Sequence, residues 1–172
     1  MKMVTALVLA LTIALATSCS KGGGDGSQSG SSKQEVFPEN QVVDIVNAVN
    51  AKDVAKATTM LQANPKLVRA KFTRGGPVDG WPLLMIAASQ GDKPMVELLL
   101  GLGADVNDKN YSSEVALHYA ALHGHKEIVQ LLLDHKADVN VKNDAGATAL
   151  SGASAEGKTD IVTLLKQHGA KE

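Results

Sequence analysis

The chain has 172 residues, 44% of them apolar but only 3% aromatic, and its 17 basic and 18 acidic side chains leave a net charge of -1. This is length for one domain with some left over, and the near-neutral balance lacks the basic field that nucleic acid or anionic lipid requires. One cysteine excludes an internal disulfide. With so few aromatics, alanine and leucine carry the apolar load, which suits thin helices packed closely in layers.

At the N-terminus Lys2 precedes an uncharged run from Met3 to Ala16. Its length fits a signal-peptide core and falls short of the roughly 20 apolar residues of a membrane span. The run closes Ala16-Thr17-Ser18-Cys19, small residues leading into the cysteine. This resembles the lipobox of bacterial lipoproteins, although the position three before the cysteine, often leucine there, holds Ala16. The resemblance implies a signal peptide over 1–18 and an acylated Cys19 that anchors the chain in a membrane; an ordinary cleaved signal with an incidental cysteine is the alternative. Ser20 stands where an inner-membrane retention aspartate would, which implies the outer membrane of the envelope and a periplasmic domain. Ser20 to Lys33 is rich in Gly and Ser, with only Lys21, Asp25 and Lys33 charged, so 19–36 reads as a flexible linker.

From Val42 to Leu61 the pattern is helical. Ile45, Ala48 and Val49 share one face, Lys52-Asp53 interrupts, Met60-Leu61 closes a second helix and Asn64-Pro65 stops it. Asn47, Asn50, Lys52 and Lys56 break the apolar surface, as expected of the outer cap of a stack. The connection from Arg69 to Asp79 is long and contains Arg74 and Gly75-Gly76-Pro77.

Beyond it the chain repeats. Gly91, Gly124 and Gly157 stand 33 residues apart, as do Leu84, Leu117 and Leu150, Ala87, Ala120 and Ala153, and Val96, Val129 and Val162. Asp105-Val106-Asn107 returns as Asp138-Val139-Asn140. One unit runs Val115-Ala-Leu-His-Tyr-Ala-Ala-Leu-His-Gly124-His, then Lys126-Glu-Ile-Val-Gln-Leu-Leu-Leu133, then Lys136-Ala-Asp-Val-Asn140. This resembles the ankyrin repeat, with its T-P-L-H-x-A-A-x-x-G-H, I-V-x-L-L-L and G-A-D-V-N segments. The resemblance implies an all-α solenoid of stacked helix-turn-helix units with short turn or hairpin loops. The ankyrin domain is expected over 37–172, divided into a degenerate capping repeat (37–76), two full repeats (77–109 and 110–142) and a C-terminal repeat or cap (143–172).

Several positions depart from that pattern. The Thr-Pro pair is Pro82-Leu83, Val115-Ala116 and Thr148-Ala149, and the histidine position holds Met85, His118 and Ser151. The bonds that Thr and His normally share are therefore expected to be incomplete. Lys136 replaces the glycine found at Gly103 and Gly169, so it either adopts a positive φ or alters the turn.

Chemistry is sparse. His118 and His123 are five apart and do not share a helix face, while His125 falls past the turn glycine, so ligand spacing for a metal is poor. Ser112-Ser113 and Ser151 have no histidine–carboxylate pair placed to activate them. Gly22-Gly23-Gly24 lies in the linker with no strand before it, so it is no phosphate loop. No catalytic residue, metal or cofactor is expected.

In ankyrin stacks the turn tips and first helices form a concave binding face. Carried across by motif position, the candidate contact residues are Asp79, Trp81, Ser89 and Gln90, then Tyr111, Ser112, Glu114, Leu122 and His123, then Asp144 and Glu156, with Arg74 beside them. Trp and Tyr are the residue types that most often anchor interfaces. Trp81 either serves that way or packs on its own helix start beneath the long connection. The expected role is a monomeric, non-catalytic protein-binding module tethered to the bacterial envelope by its lipid, with no nucleic-acid partner. Three narrower roles fit equally: an immunity or inhibitor protein against an envelope-acting toxin or enzyme, an accessory factor of a periplasmic enzyme such as a catalase, and a structural envelope component.

Overall fold

The computed structural model describes residues 39–72 and 80–171. The signal segment, Cys19, the linker, Arg74 and Asp79 lie outside the described residues. Within them, helices occur in pairs: α1 (Glu39–Asn50) with α2 (Val54–Ala63), α3 (Leu83–Ser89) with α4 (Lys93–Gly101), α5 (Ala116–Leu122) with α6 (Lys126–Asp134), and α7 (Ala149–Ala155) with α8 (Thr159–Gln167). The first helices pack on one another in the order α1, α3, α5, α7, and α2, α4, α6 and α8 form a second layer behind them. The all-α solenoid expected from the repeat is the fold observed.

The 33-residue period is the period of burial. Leu84, Leu117 and Leu150 are at most 3% exposed, and Ala87, Ala120 and Ala153 are fully buried. Methyl side chains at these three positions let neighbouring backbones approach to native packing density. Val96 and Val129 are also fully buried, but their equivalent Val162 is only half-buried, since among the described residues α8 packs chiefly on α6 and α7. In the first pair, Ile45, Ala48, Val49 and Leu61 face the core, while Asn47, Asn50, Lys52 and Lys56 are exposed.

The recurring Asp-Val-Asn stitches the units together. Asp105 and Asp138 each turn the chain by accepting the N–H two residues on, at 2.9 Å. Asn107 then reaches into the next unit, accepting the Asp138 N–H at 2.8 Å and donating to the Lys136 carbonyl at 3.4 Å. Asn140 repeats this on Lys171 (2.9 Å) and Gly169 (3.2 Å). Val106 and Val139, between these polar residues, pack against the core.

The described residues that flank the long connection carry regular structure. Pro65–Arg69 forms a 3-10 turn, and a short strand β1 (Lys71–Phe72) pairs antiparallel with β2 (Trp81–Pro82), setting Phe72 opposite Trp81. Aromatic side chains suit such a half-buried pleated pair. β2 leads directly into α3, so this pairing fixes where Trp81 sits.

Of the two options for Lys136, the chain takes the positive φ, at 68°, beside 85° and 86° for Gly103 and Gly169. A Cβ at either glycine would meet nothing within 4 Å, so the penalty at Lys136 is the left-handed backbone alone. Lys136→Gly is therefore expected to stabilise the fold by about 1 kcal/mol. Urea unfolding measures this directly; an unchanged or lowered midpoint would contradict it.

Candidate functional site

The turn tips are built around two asparagines, Asn110 and Asn143, again 33 residues apart. Asn110, only 6% exposed, accepts the N–H groups of Ser112 (3.0 Å) and Glu114 (2.9 Å) on its side-chain oxygen. Asn143 does the same for Ala145 (3.1 Å) and Ala147 (2.8 Å). Each side chain thus adds to the backbone bond that closes its tip, from the Asn110 N–H to the Glu114 carbonyl (3.0 Å) and from the Asn143 N–H to the Ala147 carbonyl (2.9 Å). Adjacent tips are joined directly, the Asp144 N–H donating to the Ser112 carbonyl at 3.1 Å.

Glu114 is the junction between tips. One carboxylate oxygen accepts from Asn110 Nδ2 (2.9 Å) and the Tyr119 hydroxyl (2.7 Å), and the other from Asn143 Nδ2 (3.4 Å). Tyr119 rises from α5 into this arrangement, and Trp81 stacks on its ring with centroids 4.4 Å apart and planes inclined by 48°. His123 follows at 6.3 Å from Tyr119. Tyr111 lies over Gly80, where a Cβ would stand 2.8 Å from the phenol ring, so only glycine admits it there. Its outer surface stays open and the residue is 50% exposed.

The predicted residues thus divide. Tyr111, His123, Asp144 and Glu156 are exposed; Trp81, Ser89, Gln90, Ser112, Glu114 and Leu122 are half-buried. Several of the half-buried ones hold the fold. Ser89 Oγ donates to the Ile86 carbonyl (2.8 Å) and Gln90 Nε2 to Asn50 Oδ1 (2.7 Å). Trp81 packs neither wholly on its own helix start nor wholly outward: it meets Tyr119 of the next unit. Tyr119 itself is absent from the predicted set, yet its position was readable. It lies three and four residues before Leu122 and His123, the spacing of one helix face.

Two of the histidines, His118 and His125, are spent on structure. His118 Nδ1 accepts the Val115 N–H at 3.2 Å, and Nε2 donates to the Ala147 carbonyl of the next unit at 3.2 Å. With both nitrogens on backbone, this ring has no lone pair for a metal. His125 Nε2 lies 3.2 Å from the Ser89 carbonyl of the preceding unit. The unusual residues at the Thr and His positions also find a common explanation, because each unit settles the same backbone N–H differently. Val115 uses His118, Thr148 uses Ser151 Oγ (2.9 Å), and Pro82 has no N–H, which leaves Met85 free to be a fully buried apolar residue.

Stacked helix pairs, a continuous inner face and rigid tips define a solenoid interaction module. Residues 47–143 and, overlapping them, 84–172 match the family described as Ankyrin repeats (3 copies), so the chain belongs to the ankyrin-repeat family. Members of this family are protein-interaction modules, generally without catalytic activity of their own. The chain is also similar to the E3 ubiquitin-protein ligase XBAT33 of Arabidopsis thaliana, 38% identical over 76 residues. That stretch is 44% of this chain but 14% of the ligase, so it speaks for a shared repeat region.

Replacing Glu114 by Ala removes the acceptor that two amides and a phenol share at the junction of the tips. An expected loss of about 1–3 kcal/mol follows, toward the low end because the site is half-exposed to water. Glu114→Gln, which retains acceptor capacity, should lose less. Equal unfolding midpoints for Glu114→Ala and the parent would show that the junction contributes nothing.

Proposed function

We propose that this ankyrin module works at the bacterial envelope, held there by an acylated Cys19 and facing the periplasm, and that it grips a partner protein with its tips and first helices. The observation that carries the binding face is Tyr111. It is a large side chain 50% exposed on a tip, its ring lying against Gly80, the residue before Trp81. An exposed tyrosine offers a large area to bury and is among the residue types that most often anchor interfaces. His123 and Glu156, at the ends of α5 and α7, and Asp144, on the next tip, are exposed polar residues that this reading assigns to the same face. The anchor rests on the small residues before Cys19 and the apolar run behind Lys2. Among the described residues no helix is long and apolar enough to cross a membrane, so in this reading the attachment is the lipid.

Tyr111 makes the cleaner probe of the face, since Trp81 also packs against Tyr119. Proteins captured from solubilised envelope on the parent chain should be lost or reduced at least about tenfold with Tyr111→Ala, at an unchanged unfolding midpoint. Capture undiminished by Tyr111→Ala and by Trp81→Ala would remove the assignment of this face. The anchor is tested separately. Cys19→Ala should leave the chain in the soluble fraction after cell lysis, and continued sedimentation with membranes would argue against acylation.

A further inference from the structure

The apolar stripe of α1 loses its cover at the start of the helix. Val42, Ile45, Val46 and Val49 follow the i, i+3, i+4, i+7 spacing of one helix face. Ile45, Val46 and Val49 are at most 2% exposed, whereas Val42, the first of the series, is half-buried at the margin of the core. Val43 beside it is 47% exposed. An open apolar residue in the first turn of a helix is within reach of the residue that precedes the helix cap. In that arrangement, the hydrophobic staple, the two side chains stand five positions apart and fix how the chain enters the helix. With α1 beginning at Glu39, the two positions are Phe37 and Val42.

Other first helices use the same pair of positions. Counted from the start of α5 they are Glu114 and Tyr119, joined by the 2.7 Å bond from the phenol to the carboxylate. Counted from α3 they are Trp81 and Ile86, the first half-buried against the core and the second 7% exposed. α3 is entered through Trp81-Pro82, with Pro82 as its cap residue in an extended conformation (φ -61°, ψ 147°). The sequence before α1 repeats this entry as Phe37-Pro38, which lie outside the described residues. A proline at the cap fixes its own φ and keeps the residue before it out of the helical region, so an aromatic there stands outside the helix and free to fold back on its first turn. The composition upstream points the same way. Between Cys19 and Val36 there is no aliphatic or aromatic side chain, so Phe37 is the first aromatic after a purely polar stretch. Leaving its ring in water forfeits the gain from burial that an open valine five residues on makes available.

We infer that the open start of α1 is a docking surface for the chain's own Phe37, whose ring lies over Val42 while Pro38 caps the helix. The repeat domain then begins at Phe37, two residues before α1, and the linker that precedes it is joined to the first unit by a packed side chain. This contact is separate from the proposed binding face and holds whether or not Cys19 is acylated.

The test uses the full chain in detergent. Phenylalanine occurs only at positions 37 and 72, so the Phe37 ring resonances are identified by their loss in Phe37→Leu. In the parent chain, nuclear Overhauser contacts are expected from the Phe37 ring to the Val42 methyls within one molecule. Their absence would overturn the proposal. So would contacts that arise only between differently labelled molecules, which would make the occupant a second copy, or ring contacts to detergent alone. Urea unfolding supplies an independent reading. Phe37→Ala and Val42→Ala should each lower the midpoint by about 0.5 M, and Phe37→Leu by less. Carrying both alanines should cost clearly less than the sum of the single losses, because each variant already removes the shared contact. Additive losses, or a midpoint that Phe37→Ala leaves unchanged, would show that the two side chains do not meet.

Discussion

A helix of seven residues does not stand alone in water, because one or two turns of hydrogen bonds cannot repay nucleation. α3, α5 and α7 are each seven residues long and the helices behind α5 and α7 only nine. Every unit therefore exists by virtue of its neighbours, and the chain is built to make neighbour contact certain. Leucine and alanine supply the apolar part of that contact at one spacing. Polar side chains supply its direction. Asn107 and Asn140 clamp the following loop, His118 holds the Ala147 carbonyl, and Glu114 holds Asn143. Apolar stacking alone would tolerate sliding between layers, whereas these bonds exist in one register only.

The proposed binding face inherits this register. The tips have little regular secondary structure, yet Asn110 and Asn143 satisfy their inner N–H groups, and Asp144 ties one tip to the next. Side chains at these places are consequently presented from fixed backbone. Tyr111 shows the result: glycine at 80 leaves room for its ring, and the residue remains half exposed. Such an arrangement spends little conformational entropy on contact.

What was legible in the sequence follows from which contacts repeat. Leu117 and Ala120 face the same kind of neighbour in every unit, so selection for that neighbour writes a visible period. The deviations at Lys136 and at the Thr and His positions were visible as well, although how each is accommodated was not. Whether Lys136 turned left-handed depended on open space around the turn, and whether Val115 lost its N–H partner depended on the rotamer of His118. The contacts of the face were harder still, since they are unique rather than repeated. Trp81 meets Tyr119 across 38 positions of sequence, and nothing local marks the pair. Glu114 has the composition of an ordinary surface acid but the geometry of a hub. The two-residue strand β1 was hidden for another reason: two residues show no alternation, and its partner lies beyond the connection.

The row of first-helix residues facing inward gives the proposed binding face its centre in the middle of the stack. Along that row the equivalent positions are Asn47, Ile86, Tyr119 and Gly152. Ile86 is 7% exposed, which leaves it nearly out of reach, and Gly152 presents no side chain; Leu122 instead leans toward it, to 3.7 Å from where a Cβ would be. Tyr119 alone combines size, a polar end and partial exposure, and it draws Trp81 from the unit before and Glu114 from the tip above. The terminal unit, with Gly152 and Ala155 on the same face, has little to contribute beyond the charge of Glu156. Stability is thus shared along the whole repeat, because each layer needs the next, whereas the chemistry of recognition is local to the one unit whose variable positions carry a large aromatic.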